Sequence, residues 1–250
     1  MSHYTALLTG TIDSSVFSNV ENLITNTEER LRQYESSVEK YITQSSFDRI
    51  VFAENSGYPF ETERFSNLAK KHGKIFEYLQ CQPHIEMTVR FGKGYGESLI
   101  IQEALDNSRL LREENEIYKI TGRIFLHNSK RIINSSRGKN EFYIIDSEKQ
   151  CYTHLFKFNK ADYYRFLYHS DLAIRESSLN LEHTFYNLLK QGVSQGMEIT
   201  CFRYWGDFDG IQGSLGTPYR SSKKGKVYHD LLCIFKAYTF DSKLQRYIRF

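Results

Sequence analysis

Short continuous apolar runs alternate along the chain with segments in which apolar residues recur every three or four positions. Tyr4–Leu8 and Arg49–Ala53 are continuous runs, and they predict buried strands. Between them, from about Val20 to Ile42, the apolar residues have helical spacing and predict a helix. Strands that alternate with helices indicate an α/β fold with a mostly parallel central sheet flanked by helices, as in Rossmann-like proteins.

The rest of the chain continues this alternation. Further helices are predicted at Glu61–Lys71, Ser98–Arg112 and Phe166–Leu189, the last interrupted near Asn180. Further strands are predicted at Glu77–Leu79, Ile117–Leu126, Phe142–Asp146, His154–Phe158 and Met197–Tyr204, while Val227–Tyr238 is compatible with either element. Ligands bind beyond the carboxyl ends of the strands in such sheets, so the residues that follow Tyr4–Leu8, Arg49–Ala53 and the Ile117 strand should line one rim.

Composition favours one folded domain outside the membrane. The chain has 250 residues, of which 40% are apolar and 25% charged, and it contains 18 Tyr and 18 Phe. The mean hydropathy of −0.53, with no apolar run near 18 residues, predicts no transmembrane helix. The first residues lack a basic segment followed by a long apolar core, so we expect the protein in the cytoplasm. Aromatic rings form most of the core and also suit sugar binding.

The charge is nearly balanced overall but unevenly distributed. A net charge of +3 is too small for a dedicated nucleic-acid binder. From Tyr219 to Phe250, however, eight basic residues face two acids, which gives this tail a net charge of about +6. Such a tail suits a phosphate group or the inner face of an anionic membrane, and the alternative is a solvated helix face. The four cysteines form no CxxC pair, so we expect free thiols and no zinc site.

Two motifs have the residue types that bind phosphate. Gly92-x-Gly94-x-Gly96 before a helix suits a loop whose backbone N–H groups hold an anion, although a tight connection is the alternative and the spacing is not that of a dinucleotide or Walker motif. Lys119, Thr121 and Arg123 share one face of a strand at a period of two. Buried cations are rare unless paired, so we expect this strand to end at a site, with a solvated edge strand as the alternative.

Three further features carry weaker signals. Asp207-Phe208-Asp209 could hold Mg²⁺ or Mn²⁺, but the same residues also form ordinary turns. Glu182 lies on a probable helix beside His183 and could act as a general base or bind sugar hydroxyls, with a solvated helix acid as the alternative. The small-residue loop from Gly213 to Ser221 could act as a lid that brings Arg220 onto a phosphate, and an ordinary surface loop explains it equally well.

Taken in order, these motifs resemble a known group of enzymes. Thr9-Gly10-Thr11, Ile50–Gly57, Gly92–Glu97 and Tyr118–Arg123 are similar to motifs of bacterial glycosyltransferases that build capsular polysaccharide or lipopolysaccharide O-antigen. The resemblance covers residues 4–135 well and the remainder loosely. It implies a GT-A-like fold in which residues 1–135 bind a nucleotide-sugar donor. Residues 136–250, with the basic tail, would bind a lipid-linked or growing glycan in the same domain.

The resemblance also assigns residues. It implies donor contacts from Thr9, Gly10, Thr11, Glu54, Asn55, Lys93, Gly94, Tyr95, Gly96, Glu97, Thr121 and Gly122. The loop before the basic tail adds Arg220 as a further expected donor contact. Lys119–Arg123 stands where GT-A enzymes usually carry a metal-binding D-x-D, so here cations replace carboxylates. We therefore expect Lys119 and Arg123 to stabilise the leaving diphosphate without a metal or other cofactor, with Mg²⁺ or Mn²⁺ at Asp207 and Asp209 as the alternative.

The acceptor hydroxyl needs a base in an inverting reaction, and Glu97, Asp146, Glu182 and Asp209 are candidates, of which Glu182 is preferred. Two other functions remain open at this point. A nucleotide-dependent oxidoreductase would rest only on the glycine motif, which lacks the dinucleotide fingerprint. A glycan-binding or assembly protein without catalysis would not need Lys119 or Arg123.

Overall fold

A computed structural model of the chain describes residues 3–17, 26–211 and 222–240. The helices in these ranges are α1 (Thr27–Gln44), α2 (Thr62–Lys71), α3 (Ile85–Phe91), α4 (Lys93–Asn107), α5 (Arg109–Arg112), α6 (Ser129–Ser135), α7 (Lys160–Phe166), α8 (Ser170–Ser177), α9 (Leu181–Ser194) and α10 (Lys223–Ile234). The strands are β1 (Thr5–Gly10), β2 (Arg49–Glu54), β3 (Ile75–Gln80), β4 (Glu116–Thr121), β5 (Phe125–Leu126), β6 (Ile144–Ile145), β7 (Gln150–Cys151), β8 (Leu155–Asn159) and β9 (Phe208–Asp209).

A five-stranded sheet of order β3-β2-β1-β4-β8 forms the centre of the fold. The first three pairings are parallel and β4 pairs with β8 antiparallel, so the predicted mostly parallel sheet is confirmed. All six residues of β1 are buried, which explains why its sequence is a continuous apolar run and not an alternating one. Two short two-stranded sheets, β5-β9 and β6-β7, lie outside the central sheet.

Helices cover both faces of the sheet and create two apolar cores. On one face α1 and α2 pack on the side chains of Ala6, Leu8 and Phe52. On the other face α4 and α9 pack on Leu7 and Val51. Because β1 has β2 on one side and β4 on the other, the strand order reverses next to β1. Ligands of doubly wound folds bind in the crevice that such a reversal opens at the carboxyl ends of the strands.

Several predicted elements need correction. The strand expected over Ile117–Leu126 ends at Thr121, because the chain turns at Gly122 and its continuation pairs with β9 instead. No strand forms over Met197–Tyr204, where only Thr200 bridges to Glu141. Between Phe142 and Asp146 only β6 is a strand.

Other predictions needed only sharper boundaries. The helical segment is interrupted before α9 as predicted, and the undecided segment at Val227 belongs to helix α10. Within the part of the chain that the structure describes, no helix is both long and apolar enough to cross a membrane.

Candidate active site

A cavity of about 690 Å³ opens where the strand order reverses, at the carboxyl ends of β1, β2 and β4. Its lining comes from these strand ends, from α1, from residues 150–154, from α9 and from residues 205–208. Segments that are far apart in the sequence therefore meet here. The predicted site residues on its surface are Thr9, Gly10, Thr11, Asn55, Lys93, Gly94, Gly96, Glu97, Thr121, Arg123 and Glu182.

Hydrogen bonds fix the polar groups at the ends of β1 and β2. The Thr11 hydroxyl donates to Oδ1 of Asn55 (2.7 Å), and the Thr11 backbone N–H donates to the Tyr34 hydroxyl (2.9 Å). Gly10 is necessary at this point, because a Cβ would lie 2.6 Å from the Phe52 ring and 2.7 Å from the Tyr34 ring. The rim is thus pre-arranged, with its Thr and Asn side chains at the cavity.

Glu54 lies beneath this rim and does not reach the cavity, which corrects its predicted role as a donor contact. Its fully buried carboxylate accepts from the backbone N–H groups of Ile12 (2.7 Å), Ser56 (2.9 Å) and Gly57 (3.1 Å). Burial raises the pKa of this carboxyl group, against the lowering effect of those hydrogen bonds. Glu54 therefore shapes the loops after β1 and β2.

Two buried arginines lie near each other on the α1 side of the cavity. Arg30, which the sequence analysis missed, is 3% exposed, and its Nε donates to the carbonyls of Thr11 (3.1 Å) and Ile12 (3.0 Å). Arg123 is 9% exposed and donates to the neutral amide oxygen of Gln33 (3.3 Å). Burial lowers the pKa of Arg30, and the positive charge of Arg123 contributes to this lowering. An anion between the two guanidinium groups would relieve their repulsion.

Lys119 lies under the cavity floor and not on its surface, which corrects its predicted contact with the leaving group. The side chain is fully buried, and its Nζ forms an ion pair with Glu97 and donates to the Thr153 carbonyl (2.7 Å). Glu97 also accepts from the Thr9 hydroxyl (3.1 Å). Lys119 points to α4, whereas Arg123 follows the turn at Gly122 and points to α1. The two cations therefore do not share one face.

The same network reaches a second carboxylate in the cavity. The Thr153 hydroxyl donates to Oε1 of Glu182 (3.2 Å), at the first turn of α9. Asn180 caps this helix by accepting from the His183 backbone N–H (3.0 Å), which explains the predicted break before α9. Hydrogen bonds thus connect Thr9, Glu97, Lys119, Thr153 and Glu182 across the floor. Glu182 has fewer charged partners than Glu97 among the described residues.

The glycine motif forms helix and not the expected loop. Gly92, with a φ of 87°, joins α3 to α4, and Gly94 and Gly96 lie in the first turns of α4. A Cβ on Gly94 would lie 2.9 Å from Cβ of Leu181, and one on Gly96 would lie 2.9 Å from Cγ2 of Thr88. The two helical glycines therefore permit close packing against α9 and α3. The oxidoreductase alternative depended on a glycine-rich loop. The described residues 93–96 form helix instead of such a loop.

The other predicted donor contacts differ in their position relative to the cavity. Tyr95 is 5% exposed and packs in the core beside Phe91, with ring centroids 5.4 Å apart, so it does not face the cavity. Gly122 lies against β1, where its N–H donates to the Thr9 carbonyl (2.8 Å) and a Cβ would meet the same oxygen at 2.8 Å. Lys93 is exposed at the start of α4 and lines the cavity mouth. Arg220 lies outside the described residues.

An aromatic wall also lines the cavity, and the sequence analysis did not identify it. It consists of Tyr152, His154, Trp205, Phe208 and His229. Trp205 stacks on His229 with ring centroids 4.6 Å apart and an interplanar angle of 21°, and it meets Tyr152 edge-on at 5.7 Å. Asp230 accepts from the Trp205 backbone N–H (2.9 Å), which holds the indole in place. Among these five residues, only Trp205 was distinctive in the sequence, because it is the single Trp of the chain.

The D-x-D residues point away from the cavity and are already paired. Phe208 lines the cavity, while its neighbours Asp207 and Asp209 form ion pairs with Lys226 and with Lys40 (2.9 Å for the latter). Among the residues that the structure describes, no group of three or more His, Cys, Asp or Glu side chains could hold a metal ion. Neither Asp207 nor Asp209 is therefore placed to hold a metal at this cavity.

Comparisons with known proteins give similarity in structure only. No protein-family model matches the sequence, and no curated protein matches it. The glycosyltransferase GlyE of Streptococcus pneumoniae TIGR4 is 10% identical with a TM-score of 0.49, and the alignment covers 76% of this chain and 43% of GlyE. This chain thus spans less than half of the length of GlyE.

Two further solved structures are similar at comparable levels. The galactosyltransferase LgtC, in complex with donor and acceptor sugar analogues, is 9% identical with a TM-score of 0.49, covering 80% of this chain and 74% of LgtC. The inositol-1-phosphate CTP transferase from T. maritima is 14% identical with a TM-score of 0.45, covering 96% of this chain and 99% of that protein. These similarities concern the fold alone, and the chemistry of the cavity depends on its own residues.

Proposed function

We propose that this protein is a GT-A-like glycosyltransferase that moves a sugar from a nucleotide-sugar donor to a glycan acceptor. One observation carries the proposal: a single cavity at the strand-order reversal is lined by two neighbouring buried arginines and also by an aromatic wall and a carboxylate. The arginines suit a diphosphate, and the rings with the carboxylate suit a sugar. Two ligands of these kinds must meet in a glycosyl transfer.

Arg30 and Arg123 bind the diphosphate of the donor. Negative charge accumulates on this group when the bond between the anomeric carbon and the phosphate oxygen breaks. Cations fixed before the reaction stabilise that charge without reorganisation, each by about 3 kcal/mol when well placed. Arg30 is fixed by two backbone carbonyls, and Arg123 by Gln33. The hydroxyl of Thr11 and the amide of Asn55 lie beside them at the nucleoside.

Glu182 receives the proton of the acceptor hydroxyl, as the oxygen of that hydroxyl forms the new bond to the anomeric carbon. It is the better of the two cavity carboxylates for this role, because Glu97 already pairs with the buried Lys119. The rings of Tyr152 and Trp205 cover the apolar faces of the acceptor sugar. Glu97 also lines the cavity, where it can accept from a sugar hydroxyl.

The reaction proceeds without a divalent cation in this proposal. The support is the residue set itself, because arginines occupy the donor side and Asp207 and Asp209 are neutralised by lysines outside it. We expect activity to survive EDTA. Complete loss of activity with EDTA, restored by Mn²⁺ or Mg²⁺, would contradict this part of the proposal.

The physiological acceptor is a lipid-linked or growing surface glycan, as in capsule or O-antigen synthesis in the cytoplasm. This finer assignment rests on the motifs between residues 4 and 135 and on the aromatic wall. The chain would act as one domain, with residues 1–135 binding the donor and 136–250 the acceptor.

Release of nucleotide from UDP-, GDP-, TDP- and CMP-sugars, with and without simple acceptor glycosides, tests the proposal. We expect turnover with one nucleotide class. Glu182→Gln should lower kcat by about 10² to 10⁴ with donor affinity unchanged, because a general base acts on the acceptor and not on the diphosphate. Glu176→Gln, at an exposed acid of α8, is the matched control and should leave turnover unchanged.

Two outcomes would favour another function. Turnover that needs a nicotinamide cofactor would indicate an oxidoreductase. Binding of a glycan with no turnover of any nucleotide sugar would indicate a binding protein.

A further inference from the structure

Helix α10 presents an apolar face to solvent. Four outward side chains, three from α10 and one from its C-cap residue Phe235, are between 47% and 59% exposed and are here called the outer stripe: Val227, Leu231, Ile234 and Phe235. Their spacing of three and four residues places them on one side of the helix. Leu232, on the opposite side, is buried. A surface helix normally turns its polar side to water, so the outer stripe, about half exposed among the described residues, suits a partner.

Cations lie at both ends of the outer stripe. Lys223 and Lys224 are exposed at the start of α10, and Lys236 is exposed just after its end. The single acid of the helix, Asp230, is turned inward, where it accepts from the Trp205 N–H and lies 3.5 Å from Arg131. The outer face of α10 is therefore apolar in the middle and positive at its ends.

We propose that the outer stripe docks on the surface of an anionic lipid bilayer. Apolar side chains of an interfacial helix enter the boundary between headgroups and acyl chains, and neighbouring lysines pair with anionic headgroups. The charges favour a bilayer over a second copy of the chain. In a two-fold pairing this patch would meet itself, and its lysines would find no acid on the facing helix.

The orientation of α10 links this surface to the cavity. His229, on the inner side of the helix, lines the cavity and stacks on Trp205. A helix with its side chains is about 10 Å in diameter, so docking would hold the aromatic wall at about that distance from the bilayer. If the proposed function holds, this is where the sugar of a lipid-linked acceptor would stand.

Co-sedimentation with phosphatidylcholine vesicles, with and without phosphatidylglycerol and without any nucleotide sugar, tests the proposal. The full chain should bind the anionic vesicles and lose affinity as salt increases. Replacing Val227, Leu231 and Phe235 together by Ser should lower the partition coefficient at least about tenfold. Lys223→Gln with Lys224→Gln should lower it about fivefold for each lysine. Exposed positions tolerate such changes, and the thermal unfolding transition checks that both variants are folded.

Matched controls alter the same chemistry elsewhere. Ile75, Ile85 and Val193 are 49%, 46% and 43% exposed, so their joint replacement by Ser removes a similar apolar area. Lys70→Gln with Lys71→Gln removes the same charge from α2. Neither control should weaken vesicle binding by more than about twofold.

Three results would overturn the proposal. One is absence of binding to anionic vesicles by the full chain, and another is binding that the outer-stripe variant retains in full. The third is a lipid-free dimer that the outer-stripe variant converts to a monomer, which would assign the stripe to a second copy. The vesicle experiment contains no sugar donor, so a negative result would overturn membrane docking only. The transferase proposal is tested separately, by nucleotide binding.

Discussion

At the residue scale, Lys119 is a positive charge without access to water. It is fully buried, whereas the side chain of its partner Glu97 is 25% exposed. A buried ammonium group is stable only when it is paired, and here its partners are one carboxylate and the Thr153 carbonyl. Lys119 therefore acts on the cavity through Glu97 and Thr153, and its own charge is not available to a ligand.

This asymmetry predicts unequal costs for the two halves of the pair. Glu97→Gln leaves the buried cation without its counter-charge and should reduce the free energy of unfolding by about 3–5 kcal/mol. Lys119→Met should cost less, about 1–2 kcal/mol, because Glu97 keeps the Thr9 hydroxyl and can be hydrated. Urea unfolding measures both values. The double variant should be more stable than Glu97→Gln alone, and equal costs for the two single changes would contradict this account.

Glu39→Gln is the control for the effect of losing an ion pair. Glu39 pairs with Arg64 at 2.9 Å, but both side chains are about half exposed. We expect a cost below about 1 kcal/mol.

His154 predicts a pH dependence of stability. Burial, followed by the charge of Lys119, lowers its pKa from 6.5 to about 3. Between these values the unfolded chain binds a proton that the folded protein does not, so the free energy of unfolding falls as the pH falls. The slope is about 1.4 kcal/mol per pH unit for one proton. In His154→Gln the slope between pH 4 and 6 should decrease by this amount, as urea unfolding at several pH values would show. If His154→Gln leaves the pH dependence of the free energy of unfolding unchanged, His154 is protonated in the folded protein, which would contradict this account.

At the element scale, the start of α4 shows how packing overrides local preference. Glycine is unfavourable in a helix by about 1 kcal/mol relative to alanine, and this helix has two within its first four residues. Contact with Leu181 at Gly94 and with Thr88 at Gly96 explains their presence. A glycine-rich sequence before a helix therefore predicted a phosphate loop where the structure has tight helix packing.

Gly94→Ala should consequently destabilise the protein instead of stabilising it. The new Cβ would meet Cβ of Leu181 at 2.9 Å and its backbone nitrogen at 3.0 Å. Overpacking of this kind costs about 1–3 kcal/mol. Lys93→Ala, at the exposed neighbouring position, should change stability by less than about 0.5 kcal/mol in the same urea titration. A gain in stability for Gly94→Ala would show that α4 and α9 are further apart.

The central strands and helices could be predicted because their signals are local. Continuous apolar runs identified β1 and β2, and helical spacing identified α1, with its observed start at Thr27. The end of β4 was misplaced because the turn at Gly122 depends on its contact with the Thr9 carbonyl, which no local pattern encodes. Met197–Tyr204 alternates like a strand, but it has a bridge only at Thr200.

At the scale of the whole molecule, the cavity joins parts of the chain that are remote in sequence. The rim at the strand ends was predictable, since parallel strands bring Thr9, Asn55 and Thr121 together there. Arg30 could not be assigned, because it is one of several charged residues on α1 and only the fold turns it inward. The aromatic wall was hidden for the same reason. Its rings come from three separate segments, and aromatic residues also form most of the core.

The basic residues of the C-terminal part have different surroundings in the fold. Among the described residues of the basic C-terminal part, Lys223, Lys224 and Lys236 surround the apolar face of α10, while Lys226 neutralises Asp207. Arg220 and the cations of residues 241–250 lie outside the described residues. The described lysines of the tail therefore form part of the surface around the outer stripe, and they also add to the net charge.

The most direct test of the central claim is calorimetric titration with nucleosides and nucleotides, in the presence of EDTA. The diphosphates UDP, GDP and TDP, together with the monophosphate CMP, cover the common sugar carriers. At least one should bind with a dissociation constant below the millimolar range. Arg123→Gln should weaken diphosphate binding at least about tenfold and leave nucleoside binding unchanged. Arg64→Gln, at a partly exposed arginine of α2, should bind like the wild type. If none of these nucleotides binds, or if Arg123→Gln binds as tightly as Arg64→Gln, the cavity is not a nucleotide-sugar site.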